Sequence, residues 1–241
     1  IDFENSFNLI KHIYLNLFSI TIFLSILQVF INNIKWYYLI NKLTKVKFIF
    51  LFKHSYIICF FNQILPSSIG GEAYKIFINR KLTSSFSKSI SLALFEKYIV
   101  LLSLLFLILI SNYLFNNNKL INISYYMNFL ILIITISIIA LFLVLKSKHI
   151  KIKNQFLYRI NLLIINSVHF LKNPQISIII FIISLLGHLN LLVIFQLLAL
   201  SLSVQLNILD LSYIFFIILL FSQLPISIGG WGIRETTAVS G

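Results

Sequence analysis

The chain has 241 residues, of which 59% are hydrophobic and only 10% are charged, and its mean hydropathy is +0.99. Soluble domains are about half apolar and about a quarter charged, so this composition excludes a water-soluble globular protein and indicates one that uses the lipid bilayer as its solvent. The net charge of +13 does not indicate nucleic-acid binding, because the basic residues lie between apolar runs, as they do in loops that flank transmembrane helices.

Six apolar segments run along the chain, and each predicts a helix that lies in the membrane. A spanning helix needs about 20 apolar residues, because each residue rises about 1.5 Å across about 30 Å of hydrocarbon. The segment that carries Lys53 and ends before Pro66 is the least regular, and the other five span the bilayer fully or nearly so. In chain order the segments are 13–34, 48–65, 89–110, 126–145, 175–200 and 211–224. Their apolar runs are continuous rather than alternating, which argues against a transmembrane β-barrel.

The basic residues predict which ends of these helices face the cytoplasm. Lysine and arginine concentrate in the segments 35–47, 75–88 and 146–172, whereas the connections 111–124 and 201–210 hold one lysine between them. Cytoplasmic loops carry an excess of positive residues. The three basic segments are therefore expected on the cytoplasmic side of the membrane, and the two connections with few basic residues are expected outside.

The sequence LPSSIGGEAYK at residues 65–75 interrupts the apolar pattern. Segment 48–74 lies between two basic loops, so it must cross the membrane an even number of times, yet it is too short for two full spans. We therefore expect a re-entrant hairpin, in which residues 48–65 enter, the chain turns at 66–71 and a short helix returns. Irregular backbone at membrane depth is tolerated only inside protein or beside a water-filled cavity, so the turn predicts a cavity.

A second copy of this motif, LPISIGGWGIRE, occupies residues 224–235. The two copies contain two of the 3 prolines and five of the 7 glycines in the chain, the residues that permit unusual backbone. Three predicted crossings separate the copies, so the second is expected to enter from the opposite face. Two broken helices of opposite orientation are typical of an inverted-topology repeat with a substrate site near the middle of the membrane. The alternative is that both copies are ordinary Pro–Gly turns in surface loops.

The predicted fold is an all-α polytopic membrane protein, with residues 1–241 in a single membrane domain. It contains about five to six transmembrane helices and two re-entrant broken-helix hairpins. The first repeat covers about 13–110 and the second about 175–241, each with one copy of the motif. Between them, the basic cytoplasmic loop 146–174 is either an interfacial helix on anionic lipid or a solvated linker.

The polar groups at the two motifs are the candidate substrate-binding residues. A helix that begins after the two glycines presents free backbone N–H groups and the positive end of its dipole, which attract phosphate or carboxylate. Serine hydroxyls add donors, and the guanidinium of Arg234 can hold two phosphate oxygens. The candidates are Ser67, Ser68, Gly70, Gly71, Glu72, Lys75, Glu96, Ser227, Gly229, Gly230, Arg234 and Glu235. Together they predict a ligand with an anionic head group.

Glu96 is a candidate because it is an ionisable residue inside a predicted span, where a charge is costly unless it finds a partner. Its candidate partners are Arg234, Lys75 and Lys53. Two interpretations stay open at this point. Glu96 either lines the cavity as a functional charge, for example as a proton site, or it forms an ion pair that pins its helix to the hairpin.

The sequence contains no arrangement typical of catalysis or of metal binding. There is no pair of carboxylates in a cleft-like context, no nucleophile elbow and no cluster of metal ligands. Cys59 is the only cysteine, which excludes a disulfide within these residues and a cysteine-based metal site. We therefore expect a protein that is not an enzyme and uses no metal and no cofactor. The start at Ile1 and the end at Gly241, directly after a motif, are interpreted as those of a fragment.

Three stretches of the sequence carry a resemblance to a known family: FFNQILPSSIGGEAYKIFINRK at 60–81, SLALFEKY at 91–98 and LPISIGGWGIRE at 224–235. They resemble the lysylphosphatidylglycerol synthase transmembrane region family, whose members are flippase-like integral membrane proteins. In addition, IKWYYLI at 34–40 looks like the family's segment after an early helix. The resemblance covers most of the chain, and the two Gly-Gly motifs together carry most of its specificity.

The family's pattern also suggests where this chain is typical and where it departs. An acidic and then a basic residue usually follow the first motif, and here these are Glu72 and Lys75. The pair Glu96-Lys97 stands where Glu-Arg is common. Lysine lacks the bidentate fork of arginine, so this departure weakens the expectation of tight phosphate clamping at Lys97.

The resemblance implies a protein of the cell membrane, the inner or plasma membrane, that moves a lipid with an anionic or modified head group across the bilayer. The implied partners are membrane lipids: an anionic phospholipid such as aminoacylated phosphatidylglycerol, or a polyprenyl-phosphate-linked sugar. Some relatives carry a soluble aminoacyl-transferase domain that these residues lack, so synthase activity is not expected. The alternatives are a secondary transporter of a small anion or amino acid, and a non-catalytic membrane partner of a lipid-modifying enzyme or glycosyltransferase. A homo-oligomer is open, and nucleic acid is not an expected partner.

Overall fold

The computed structural model describes residues 14–64, 69–115, 163, 166–167 and 170–223. Helices account for most of these residues, and no strand occurs among them. The helices are α1 Leu15–Ile40, α2 Phe48–Ile64, α3 Ile69–Thr83, α4 Phe86–Phe115, α5 Pro174–Ser201 and α6 Ile208–Gln223. The predicted span 126–145, the second motif and most of the loop 146–174 lie outside the described residues.

Three of these helices are long and apolar enough to cross a membrane, namely α1, α4 and α5. Helix α2 and the segment Leu211–Leu220 of α6 are apolar but shorter. Large apolar side chains on the three long helices point outward, for example Phe23, Phe106 and Leu186. Such a surface is stable in hydrocarbon and unfavourable in water. The described residues therefore confirm the all-α membrane fold.

Helix α1 corrects one prediction. The sequence places the end of the first span just before Lys35 and puts this lysine in a cytoplasmic loop, but α1 continues to Ile40 and Lys35 is buried. Trp36 and Leu39 pack in the main core of the bundle, so tertiary contacts stabilise these last turns as helix. The helix ends where the Asn41 side chain bonds the backbone on both sides of the following turn.

Helices α2 and α3 form an antiparallel hairpin around the first motif. His54 Nδ1 and the Tyr74 hydroxyl lie 2.7 Å apart, and the Gly71 N–H donates to Asn62 Oδ1 at 3.1 Å. A residue later in α2 contacts a residue earlier in α3, so the two helices run in opposite directions. The turn itself, at 65–68, lies outside the described residues, and the re-entry of this hairpin into a membrane stays a prediction.

Helix α1 also runs antiparallel to α5, which it contacts along its length. The backbone N–H of Tyr14, just before α1, donates to the carbonyl of Ser201 at the end of α5 (3.1 Å). Further along, Asn190 Nδ2 donates to Gln28 Oε1 (2.9 Å). The start of α1 therefore lies beside the end of α5.

Helices α2 and α6, which lead into the two motifs, run in opposite directions. Ser55 of α2 donates to Asn33 of α1 (3.0 Å) after the chain has turned back, so α2 is antiparallel to α1. Helix α6 turns back on α5, and the Phe195 and Phe215 rings of these helices lie 5.1 Å apart between centroids. Because α1 is antiparallel to both α2 and α5, these two helices point the same way, and α6 points the other way.

Basic residues collect at one end of the bundle. The turn after α1, the turn between α3 and α4 and the start of α5 lie together there, where Leu43, Leu82 and Phe170 belong to one apolar cluster. The lysines and arginine at this end are Lys42, Lys45, Lys47, Arg80, Lys81, Lys88 and Lys172. At the opposite end, the start of α1, the end of α4 and the α5–α6 turn contain no lysine or arginine among their described residues.

Candidate functional site

A cavity with both charged and apolar side chains in its wall lies inside the bundle, between α1, the α2–α3 hairpin, α4, α5 and the end of α6. Its volume is about 360 Å³, which lies within the range of sites that hold small molecules or head groups. The polar residues of its described wall are Asn32, Lys35, Ser55, Asn62, Glu72, Lys75, Glu96, Lys97, His188, Ser222 and Gln223. Ionisable side chains among apolar helices mark functional sites, so this cavity is the candidate site.

Four charged residues of the wall pair crosswise between α3 and α4. Lys75 Nζ lies 2.6 Å from Glu96 Oε2, and both side chains are buried. Lys97 Nζ lies 3.9 Å from Glu72 Oε1, and these two side chains are 33% and 39% exposed. Residues three apart on a helix share one face, so Glu72 and Lys75 can both face α4. The four formal charges cancel, which offsets much of the cost of placing them inside the protein.

A cation–π contact also holds Lys75 in place, and a hydrogen bond fixes the ring that makes this contact. Its Nζ lies 5.5 Å from the centroid of the Trp36 ring, within the range of a cation–π contact. The indole N–H of Trp36 in turn donates to Asn79 Oδ1 at 2.8 Å, and both of these residues are buried. The ion pair of Lys75 with Glu96 is thus supported from α1 as well as from α3.

Of the two candidate partners of Glu96 that lie in the described part of the chain, Lys75 forms the ion pair, and the third candidate, Arg234, lies outside the described residues. The carboxylate also lines the cavity. Glu96 therefore joins α4 to the hairpin and also places a carboxylate in the cavity wall. This geometry agrees with both the structural and the functional interpretation of Glu96.

Lys35 is the remaining cation of the described wall. It is the only charged residue in α1, it is 7% exposed, and it lines the cavity. Unlike Lys75 and Lys97, it has no hydrogen bond or ion pair to another described residue. Since the other four charges cancel, the described wall carries one positive charge in excess, with His188 neutral.

The glycines of the first motif lie within helix α3. Helix α3 begins at Ile69, so Gly70 and Gly71 lie in its first turn rather than before it. The N–H of Gly71 donates to Asn62 Oδ1 within the hairpin, and the anion-binding role of the motif glycines stays a prediction. A Cβ on Gly71 would lie 2.3 Å from Asn62 Oδ1, so glycine permits the close approach of α2 and α3.

The structure brings together three of the predicted site residues, because Glu72, Lys75 and Glu96 all line the cavity. Gly70 and Gly71 lie in the turn of α3 that also carries Glu72. The other predicted residues lie outside the described part of the chain: Ser67, Ser68, Ser227, Gly229, Gly230, Arg234 and Glu235.

The end of α6 connects this cavity to the second motif. Ser222 and Gln223 line the cavity, and the motif begins at the next residue. Asn62, shortly before the first motif, lines it as well. Both helices that lead into the motif copies therefore end at one cavity.

The wall also contains Lys35, Trp36 and His188, which the sequence did not predict as members of the site. The available signal for Lys35 is the apolar sequence that continues after it, since Trp36 and Leu39 extend the helix and place the lysine within it. His188 has a weaker signal, because a histidine in a span often bonds between helices. Here a ring nitrogen lies 3.3 Å from the Val100 carbonyl on α4.

The wall carries groups that can bind a polar ligand. Its ammonium, carboxylate, amide and hydroxyl groups can hold and orient a polar head group through charges and hydrogen bonds. Within the described ranges, no group of three or more His, Cys, Asp or Glu side chains could hold a metal ion. The absence of metal, cofactor and catalysis stays a prediction.

Comparison with known proteins places the chain in a family. No curated protein and no solved structure matches it. The family described as "Lysylphosphatidylglycerol synthase TM region" matches residues 1–241, which is the whole chain. The resemblance found in the sequence is thus confirmed, and the apolar helices agree with it. The chain belongs to the lysylphosphatidylglycerol synthase transmembrane region family and is an integral membrane protein.

Proposed function

We propose that the chain moves a lipid across the bilayer, with the head group in the cavity and the acyl chains in hydrocarbon. One observation carries this proposal: five charged side chains surround a volume of about 360 Å³ inside helices whose outer surface is apolar. A charged head group cannot enter hydrocarbon at low cost, and a polar cavity provides the alternative. The family supports a lipid-related membrane function.

The directions of α2 and α6 support a path that opens in turn to the two faces of the membrane. These helices run in opposite directions and both end at the cavity. Helices that enter from opposite faces and meet near the middle are the arrangement of inverted repeats, where one repeat moves against the other around a fixed site. We place the basic end of the bundle in the cytoplasm, following the excess of positive residues in cytoplasmic loops. The cell membrane is proposed as the location from the resemblance to the family.

The proposed ligand is an anionic phospholipid or a polyprenyl-phosphate-linked lipid, and the proposed role is not enzymatic. The lysines of the wall supply the positive charge that such a head group needs. A lipid-modifying enzyme of the same membrane would supply the lipid, and such an enzyme is the proposed membrane partner.

A secondary transporter of a small anion or amino acid is the second candidate, because the cavity volume of about 360 Å³ and its mixed charges also suit a soluble ion. Uptake of labelled phosphate and labelled amino acids into vesicles distinguishes the two functions. The lipid hypothesis predicts no uptake above protein-free vesicles.

Leaflet exchange in proteoliposomes tests the proposal. The purified chain is reconstituted with traces of fluorescent phosphatidylglycerol, and a membrane-impermeant quencher reports the accessible fraction over time. We expect faster exchange than in protein-free vesicles, slower exchange in Glu72→Ala and Arg234→Ala, and no change in Lys45→Ala, which alters an exposed lysine outside the cavity. Exchange at the protein-free rate for every anionic lipid tried would contradict the proposal.

A further inference from the structure

We infer that Lys35 is the anion-binding residue of the central cavity, and that its ligand group is a phosphate with a single negative charge, such as the phosphodiester of a lipid head group. The assignment of a lipid as the source of this phosphate rests on the proposed function. The site itself does not, because it follows from the placement and charge of the described wall.

The position of Lys35 is unusual for a lysine in a membrane helix. A lysine near a helix end normally extends its stem to the membrane surface and keeps its ammonium in water. Lys35 lies five residues before the end of α1, close enough for this, yet it is 7% exposed and faces the interior cavity. Its charge is therefore directed to the cavity rather than to the surface.

Among the described residues of the wall, Lys35 is the cation that is left available to a ligand. Lys75 is in a buried ion pair with Glu96 at 2.6 Å, and Lys97 lies 3.9 Å from Glu72. A ligand that used Lys75 would have to displace Glu96 and leave a buried carboxylate unpaired, which is unfavourable. Lys35 has no such partner among the described residues, so an anion beside it gains a charge-assisted hydrogen bond without breaking one.

The charge of the wall selects the charge of the ligand. The described wall holds three lysines and two glutamates, so one negative charge on a ligand balances the charge of these residues. A phosphodiester carries one negative charge, which equals the excess positive charge of the described wall, whereas a diphosphate carries more negative charge than these residues balance. The inference therefore favours lipids with a phosphodiester head group over diphosphate-linked lipids.

The stability of the ligand-free protein provides the first test. An unpaired buried ammonium destabilises its surroundings, whereas removal of one member of a buried ion pair leaves the other unpaired. We expect Lys35→Gln to melt at or above the wild-type temperature in detergent, while Lys75→Gln melts well below it. A melting temperature of Lys35→Gln clearly below wild type would show that Lys35 is held in an ion pair, and would overturn the inference.

Ligand-induced stabilisation provides the second test, since a ligand that binds only the folded state raises the melting temperature. The probes are short-chain phosphatidylglycerol, short-chain phosphatidylcholine and inorganic phosphate. We expect phosphatidylglycerol to stabilise wild type, Lys35→Arg and the surface control Lys45→Gln. Loss of one charge-assisted hydrogen bond weakens binding about 10- to 100-fold, so Lys35→Gln should lose the shift at the same lipid concentration. An equal shift in Lys35→Gln and wild type would overturn the inference.

The probes also separate this inference from the proposed function. Stabilisation by inorganic phosphate that depends on Lys35 supports the site and points to a soluble anion rather than a lipid. Binding of phosphatidylglycerol through Lys35 without leaflet exchange supports the site and contradicts lipid translocation. Leaflet exchange that is unchanged in Lys35→Gln supports translocation and contradicts the role of Lys35.

Discussion

The ammonium of Lys75 lies 2.6 Å from the carboxylate of Glu96, and both side chains are buried between α3 and α4. Loss of one partner of a buried ion pair typically costs about 3–5 kcal/mol, because the other charge is left unpaired. We therefore expect Glu96→Gln and Lys75→Gln each to lower the free energy of unfolding by roughly this amount. The double variant K75M/E96M should recover most of the loss, as measured by thermal unfolding in detergent. A double variant no more stable than the single ones would contradict this account.

The same double variant resolves the role of Glu96. If the Glu96 carboxylate serves transport, the K75M/E96M variant should fold but lose leaflet exchange. Exchange at the wild-type rate would instead assign Glu96 a structural role, because the pair would then be replaceable by apolar contacts. Thermal unfolding of the same protein preparation is the control that separates lost function from lost fold.

The second ion pair should matter much less for stability. Glu72 and Lys97 are 39% and 33% exposed and lie 3.9 Å apart, so water screens their attraction. Exposed pairs contribute about 0.2–1 kcal/mol. We expect Glu72→Gln and Lys97→Gln to change the free energy of unfolding by no more than about this amount. A loss as large as that of Glu96→Gln would show that the pair is buried in the membrane-embedded protein.

Gly71 and Asn62 should be energetically coupled. A Cβ at residue 71 would lie 2.3 Å from Asn62 Oδ1, so Gly71→Ala must rotate the Asn62 side chain and break its bond to the Gly71 N–H. We expect a loss of about 1–2 kcal/mol from Gly71→Ala in the wild-type background. In an Asn62→Ala background the same change should be neutral or stabilising, because alanine favours helix over glycine. Thermal unfolding of the four proteins measures the coupling, and additive effects would contradict it.

The orientation of the bundle can be measured by cysteine labelling. Cys59 is replaced by alanine, and single cysteines are introduced at Lys45 and Gln205, which are exposed at opposite ends of the bundle. The positive-inside rule predicts that a membrane-impermeant thiol reagent labels residue 205 in intact cells and residue 45 only after the membrane is opened. The reverse pattern would invert the topology, and labelling of both from outside would contradict the spans.

Local sequence signals were enough to predict much of this protein. The continuous apolar runs predict the spans, and the concentration of proline and glycine in two copies of one motif predicts where the helices are interrupted. Glu72, Lys75 and Glu96 were identified because charges are rare and costly in such a sequence. The structure places these three around one cavity. The predicted end of α1 was wrong because hydropathy drops at Lys35, whereas packing of Trp36 and Leu39 stabilises the helix beyond this residue.

Composition, hydropathy and the repeated motif determined by themselves that this is an α-helical membrane protein with charges kept for a few positions. Only the tertiary structure decided that Lys75 pairs with Glu96, that Asn62 caps Gly71, and that Lys35 faces the interior. The physical reason is that all of these helices except α3 are apolar on most of their faces. A pattern of hydrophobic residues therefore does not reveal which face turns inward, and the rotation of each helix is set by its contacts with neighbours distant in the chain.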